Sequence, residues 1–260
     1  MVDINTFDYY VAFLKENDPN GRPTFTYEHY DYSGSHATLG RCLIIHFNKS
    51  HPEVIDDAIQ LLNGAVEKMF EEKYEDGKID FDQVIWGYND LAVWHANYKK
   101  DMEKALHFAN KGIEMLQTVA DCDLSFGVRG QLWFNRWVSS LKLGREEAML
   151  KVCREKITEA SLRNSNYTSN SMLYYGYQFL AFVSKSHNDM IQAIGYLEES
   201  VKYLDLQVEV RKYQLKQYHE ILELKESDPD ECYKQLEQLL DMVSSLHQAW
   251  DFDSSIWENS

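Results

Sequence analysis

Four times along this 260-residue chain a charged or amide residue precedes a single alanine that opens an apolar run, at Ala58, Ala105, Ala148 and Ala193. The intervals are 47, 43 and 45 residues. A near-constant period of that length confines the chain to a stack of similar units, each burying its apolar face against the next. Two antiparallel helices joined by a tight turn come closest near that turn, where a large side chain would force them apart. A small residue recurring there is therefore expected as a packing constraint. Cys232 takes the same place in a fifth unit, 39 residues beyond Ala193.

Composition and punctuation make the units helical. Only 4 Pro and 12 Gly interrupt the chain, which favours long helices over a turn-rich β fold. Helix-start signals stand at Pro52, Asp101, Gly144-Arg145, Asn188-Asp189 and Ser227-Asp228-Pro229. Five starts predict five helix pairs. The first helices run over about 37–48, 82–98, 126–142, 169–187 and 207–226, and their partners over about 53–73, 102–118, 145–162, 189–205 and 229–247. Within 189–226 only Gly195 interrupts the pattern, so one helix or two fits that stretch. Near the start, Ile4, Phe7, Val11 and Leu14 share one face of a helix over 3–15, which the run from Asn17 to Pro23 ends before a Tyr-rich loop. The expected division is an N-terminal helix and aromatic loop over 1–36 packing on the first repeat, a repeat domain over 37–247, and an acidic-aromatic tail over 248–260. That tail either caps the last hairpin or serves as an interaction motif.

Charge narrows the partners. With 42 acids against 26 bases the net charge is -16, so the chain's own field opposes phosphate backbones and anionic membranes. Neither nucleic acid nor membrane is expected as a partner. The densest basic run, Lys99-Lys100 with Lys104 and Lys111, is interleaved with Asp101, Glu103 and Glu114, as on a solvated helix face. Four scattered cysteines, Cys42, Cys122, Cys153 and Cys232, form no CxxC, and residues 1–10 carry no secretion-type apolar stretch; both point to a cytoplasmic setting.

Residues 174–206 resemble a tetratricopeptide repeat: Tyr177 fills the large aromatic slot, Leu180-Ala181 the Leu-Gly slot and Asn188-Asp189 the turn, with Ala193 at the small-residue position. Leu197, Ser200 and Asp205 depart from the aromatic, alanine and proline of that pattern. Residues 86–116 are similar more loosely, through Trp86, Leu91-Ala92, Ala105 and Ala109. The period exceeds that of the standard repeat and resembles in style the long-helix repeats of bacterial peptide-sensing regulators. The resemblance covers 37–247 as architecture and implies an all-α, right-handed α-solenoid of about five hairpins, with a concave groove that takes peptides or protein segments. In that arrangement the first helices line the groove. Their polar residues Asn89, Asn97, Arg129, Asn135, Arg136, Gln178 and Lys185 are then candidates for peptide contact, with arginine suited to bidentate binding.

Signs of catalysis are weak. No HExxH occurs among the nine histidines, no GxSxG elbow is present, and Gly34 to Gly40 runs into Arg41-Cys42 where a phosphate loop needs lysine and a hydroxyl. Paired acids such as Asp56-Asp57 and Glu146-Glu147 are adjacent on helices and do not face one another. The expectation is a non-catalytic, cofactor-free and metal-free scaffold for a peptide or protein segment. The rivals are an acidic inhibitor that covers a basic toxin or nuclease surface, and an α/α-toroid enzyme.

Overall fold

The computed structural model describes residues 37, 40, 41, 43–71, 81–119, 127–163, 167–203 and 209–244. Among them are nine α-helices, a π-helical segment at Leu43–Phe47, and no strand, so the fold is all-α. The helices are α1 (Val54–Glu71), α2 (Phe81–Asn97), α3 (Met102–Leu116), α4 (Val128–Lys142), α5 (Glu146–Ser161), α6 (Tyr167–Ser186), α7 (Met190–Val201), α8 (Glu209–Ser227) and α9 (Pro229–Ser244). These bounds follow nine of the ten expected helices closely; of the expected helix over 37–48 only residues 37, 40, 41 and the π-helical segment Leu43–Phe47 with Asn48 are described. The stretch 189–226 holds two helices, because α7 stops at a C-cap on Lys202 before α8 begins. The expected N-terminal helix, aromatic loop and C-terminal tail, with Cys42 and Cys122, lie outside the described residues.

Three of the hairpin turns are built alike. A left-handed residue sits just before the second helix at Lys100 (φ 55°), Gly144 (φ 77°) and Asn188 (φ 59°), at intervals of 44 residues. Asp101 and Asp189 then cap their helices, each carboxylate accepting a hydrogen bond at 3.0 Å from the backbone N–H three residues on. Arg145 occupies the same position in the middle turn and makes no side-chain cap. Counted from these caps, the small-residue slot falls on Ala105, Met149, Ala193 and, after Asp228, Cys232. The alanine series is thereby corrected. Ala58, Ala105, Ala193 and Cys232 are buried, whereas Ala148 is exposed and Met149 packs in its place. One helical residue is a rotation of about 100°, enough to turn Ala148 outward.

Consecutive helices pack on one another, and α2 lies against α4 and α4 against α6, so these three first helices form a buried row. The turns align along one edge through side-chain pairs that link each unit to the next: Lys99–Asp56 at 2.6 Å, Arg145–Glu103 at 3.5 Å and His187–Glu146 at 2.8 Å. The last hairpin departs from this order, with a shorter step to Cys232 and with α9 packed directly on α6. The larger of two core clusters holds Trp94, Trp137, Phe134 and Phe179, fully buried on α2, α4 and α6, and a smaller one joins Ile85, Ile113, Leu116, Val128 and Leu132.

Candidate functional site

The helices of the buried row carry more polar groups than a doubly covered core normally holds, and most of them bond to one another. Asn135 donates from Nδ2 to Asn89 Oδ1 at 2.9 Å, Asn89 donates to Gln131 Oε1 at 3.1 Å, and Gln131 donates to the Tyr175 hydroxyl at 2.8 Å. This chain stitches α4, α2 and α6 together. Beside it Asp90, 3% exposed, accepts from Arg41 Nε at 2.7 Å. Burial pushes the Asp90 carboxyl above its ordinary range, against the pull of Arg41 and of a hydrogen bond from Asn89. The pair is structural: Asp90 is buried while Arg41 is partly exposed, so removing Arg41 would leave the buried Asp90 without its partner.

Three of the seven groove candidates therefore face inward. Asn89, Asn135 and Gln178 are buried, at 0%, 1% and 3% exposure, and offer no surface to a partner. Asn97 and Lys185 are half-buried near the C-terminal ends of α2 and α6. Arg129 and Arg136 are half-buried on α4, and here the structure assembles a site.

Arg129, Trp133 and Arg136 are spaced i, i+4, i+7, which puts all three on one face of α4. The Arg136 guanidinium lies over the Trp133 ring, 4.9 Å from its centroid, and Lys156 Nζ of α5 lies over the same ring at 5.2 Å. Each such contact is worth about 0.5–2 kcal/mol, more as water is excluded. Burial pulls the Arg136 guanidinium below its usual pKa. A cleft of about 80 Å³ opens beside this cluster, lined by Arg129, Trp133, Lys156, Glu159, Arg163 and Ser169, among others. It sits where the N-terminal turns of α4 and α6 meet the C-terminal turn of α5.

Two close approaches hold these helices in place. A Cβ on Gly130 would lie 2.4 Å from Ser171 Oγ and 2.5 Å from its carbonyl oxygen, so α4 meets α6 through bare backbone. Gly130 N–H donates to the Ser171 hydroxyl at 3.2 Å. On the other side, Gly176 of α6 receives Ile157 of α5, and the Cys153 thiol donates to the Gly176 carbonyl at 3.5 Å. Burial pushes the Cys153 thiol far above its ordinary pKa, so it packs as a small apolar group.

Lys156, Arg163 and Ser169 escaped the reading of the sequence. They reach the cleft from α5, from the turn after it and from α6, and no spacing in the chain relates them to Arg129. The i, i+4, i+7 spacing of Arg129, Trp133 and Arg136 is a signal in the chain that could have grouped the α4 residues, and it went unused.

Comparison with protein-family models, with curated proteins and with solved structures returns no match to this chain. Among the described residues no helix is long and apolar enough to cross a membrane.

Proposed function

We propose that the chain is a non-catalytic, cytoplasmic scaffold whose hairpins stack as a tetratricopeptide-like α-solenoid and which binds a peptide or protein segment. The observation that carries the binding role is the cleft at the α4–α5–α6 junction, where arginine and lysine gather around a half-buried tryptophan on a chain of net charge -16. Tryptophan and arginine are the side chains that dominate binding at protein interfaces, and here they are fixed on helices rather than loops. The stacking is supported by the matching turns and by the edge pairs Lys99–Asp56, Arg145–Glu103 and His187–Glu146. Asn89, Asn135 and Gln178 drop out of the binding surface in this reading; Arg129, Arg136 and Lys185 remain, with Asn97 at the edge.

The test is selection from a displayed peptide library against the folded chain, followed by affinity measurements on wild type, Arg136→Ala and Lys185→Ala. Enriched peptides are expected to lose about tenfold in affinity with Arg136→Ala, about 1.4 kcal/mol, and less with Lys185→Ala. Failure to enrich any peptide, or equal affinity in all three proteins, would overturn the assignment. A partner captured only at low salt would favour the acidic-inhibitor reading instead.

A further inference from the structure

We infer that α5 is a hinged arm of the stack: Met149 props it off α4, and it lifts from Trp133 as a unit while the neighbouring helices stay packed. The slot four residues after each capping position holds Ala105, Ala193 and Cys232, all buried, but Met149 in the middle hairpin. Two helices joined by a tight turn approach most closely at that slot. A long side chain there spreads the arms, and arms that diverge from a turn part most at the far end.

The packing follows that expectation. In the flanking hairpins α2 lies tight along α3, and α6 along α7, whereas α5 touches its own partner α4 only lightly and rests mainly on α6. Its buried face is correspondingly thin: α3 and α7 bury seven and four residues, and α5 two, Cys153 and Ala160. At the end far from the turn the cleft of about 80 Å³ lies between the two arms. Trp133 is covered there by charged side chains, Arg136 from α4 and Lys156 from α5, and the Lys156 ammonium also meets Glu159 of its own helix at 2.7 Å. Such contacts part at small cost, because water replaces them.

The remaining attachments allow the arm to turn. Its main hold is on α6, where Ile157 and Cys153 meet the bare backbone of Gly176 and the Cys153 thiol donates to the Gly176 carbonyl at 3.5 Å. The pivot is Gly144, with φ 77° and no atom within 4 Å of an added Cβ. Next to it, Arg145 leaves the start of α5 without a side-chain cap. At the other end Leu162 is 83% exposed, so that end is not anchored by its apolar side chain. A helix with few buried residues opens cooperatively, at a lower free energy than the whole fold. Each opening takes Lys156 off the ring and uncovers Trp133.

The experiment compares hydrogen exchange along the full chain for wild type, Met149→Ala and Ile157→Ala, with hydroxyl-radical footprinting of Trp133 and Trp137, both read by mass spectrometry. In wild type the α5 amides are expected to exchange about tenfold or more faster than those of α3 and α7. An ordinary packing residue loosens its helix when truncated; a prop tightens it. Met149→Ala should therefore slow α5 exchange by about tenfold and reduce labelling of Trp133, leaving α3, α7 and the buried Trp137 as they were. Ile157→Ala weakens the hold on α6 and should move both readings the other way. Faster or unchanged α5 exchange in Met149→Ala would overturn the prop. Exchange of α5 no faster than that of α3 and α7 in wild type would overturn the arm, and slower exchange with unchanged Trp133 labelling would overturn its cover over the ring. Met149 and Ile157 are both half-buried, so both variants are expected to fold. Should Met149→Ala fail to do so, Met149→Val shortens the same side chain and carries the same sign.

Discussion

Helices α4 and α5 are the two arms of one hairpin, of nearly equal length, and they differ in almost every physical respect. From Val128 to Ser140, α4 is covered on nearly every side, by α2 and α3 on one flank and by α5 and α6 on the other. Along α5 only Cys153 and Ala160 are fully buried, with Met149, Leu150 and Ile157 partly buried against the core, and the other face is charged and wet. The same kind of residue therefore has opposite meanings on the two arms. A polar side chain on α5 is solvated. On α4 it must find a partner inside the protein, as Gln131 and Asn135 do, because an unpaired buried amide costs about 1–3 kcal/mol. The cleft is the place where the two environments meet, with Arg129 and Trp133 from the covered arm and Lys156 from the wet one.

The largest expected effect tests the covered arm directly. Trp137 is fully buried, against Trp133 and Phe179, so Trp137→Ala should destabilise by about 3–5 kcal/mol in chemical denaturation. Its indole N–H has no hydrogen-bond partner among the described residues, so Trp137→Phe should cost far less. On the wet arm, Glu155→Ala should stay within about 0.5 kcal/mol. Similar losses for Trp137→Ala and Glu155→Ala would erase the contrast between the arms.

A second pair of substitutions sharpens the contrast by sign. Gly130→Ala places a methyl group within 2.5 Å of the Ser171 carbonyl oxygen, where α6 must move away, and should cost about 1–3 kcal/mol. Gly195, on α7, has nothing within 4 Å of the same added atom. Gly195→Ala should therefore stabilise, by about 0.4–1 kcal/mol, through helix propensity and a less mobile unfolded chain. Thermal melts of the two variants should move in opposite directions; a shift of the same sign would mean that α4 and α6 are not held at backbone contact.

This split between arms also explains what was legible in the sequence. Helix starts and ends were readable because they depend on local chemistry: the caps at Asp101 and Asp189 and the glycine at Gly144 act within a few residues. The alanine series was readable to one residue. Ala148 failed because Arg145 takes the capping position without a capping side chain, so nothing local marks the true register at Met149. The site was less legible. Placing Asn89, Asn135 and Gln178 in a groove assumed that polar residues on a first helix face solvent, which fails for a helix packed on both flanks. Arg129 and Arg136 were named as polar residues of a first helix, not through the spacing that groups them with Trp133, and Lys156, Arg163 and Ser169 reach the cleft through tertiary packing, which no period encodes.

A smaller effect concerns a titrating group on the buried row. His95 is buried on α2 and stacks on Phe108 with centroids 5.3 Å apart. Burial, with Lys104 next, pulls its pKa below the ordinary value of 6.5, against the opposing pull of Asp101. The folded state thus holds a neutral imidazole, while the unfolded chain takes up a proton near pH 6.5. The stability that depends on this neutrality is complete above about pH 6.5 and is lost as pH falls through the folded-state pKa. Denaturation midpoints should accordingly decline from about pH 6.5 downward, before most carboxylates titrate, and His95→Leu should flatten that part of the profile. An unchanged slope in His95→Leu would mean that the decline arises elsewhere.

The smallest expected effect lies on the turn edge, where hairpins touch through water-exposed pairs. Arg145 and Glu103 are 3.5 Å apart and both exposed, so Arg145→Ala should change stability by no more than about 1 kcal/mol, and less at high salt. The pair matters as geometry rather than as energy, since it reports that the turn at Gly144 lies beside the start of α3. A charge reversal tests that geometry. Arg145→Glu places two acids side by side, and adding Glu103→Arg to it should restore the midpoint at low salt. The coupling in this cycle should vanish at about 1 M salt, where the screening length falls to about 3 Å. Absence of any coupling at low salt would mean that the turns do not align along one edge, and the argument for hairpins stacked in register would lose its middle step.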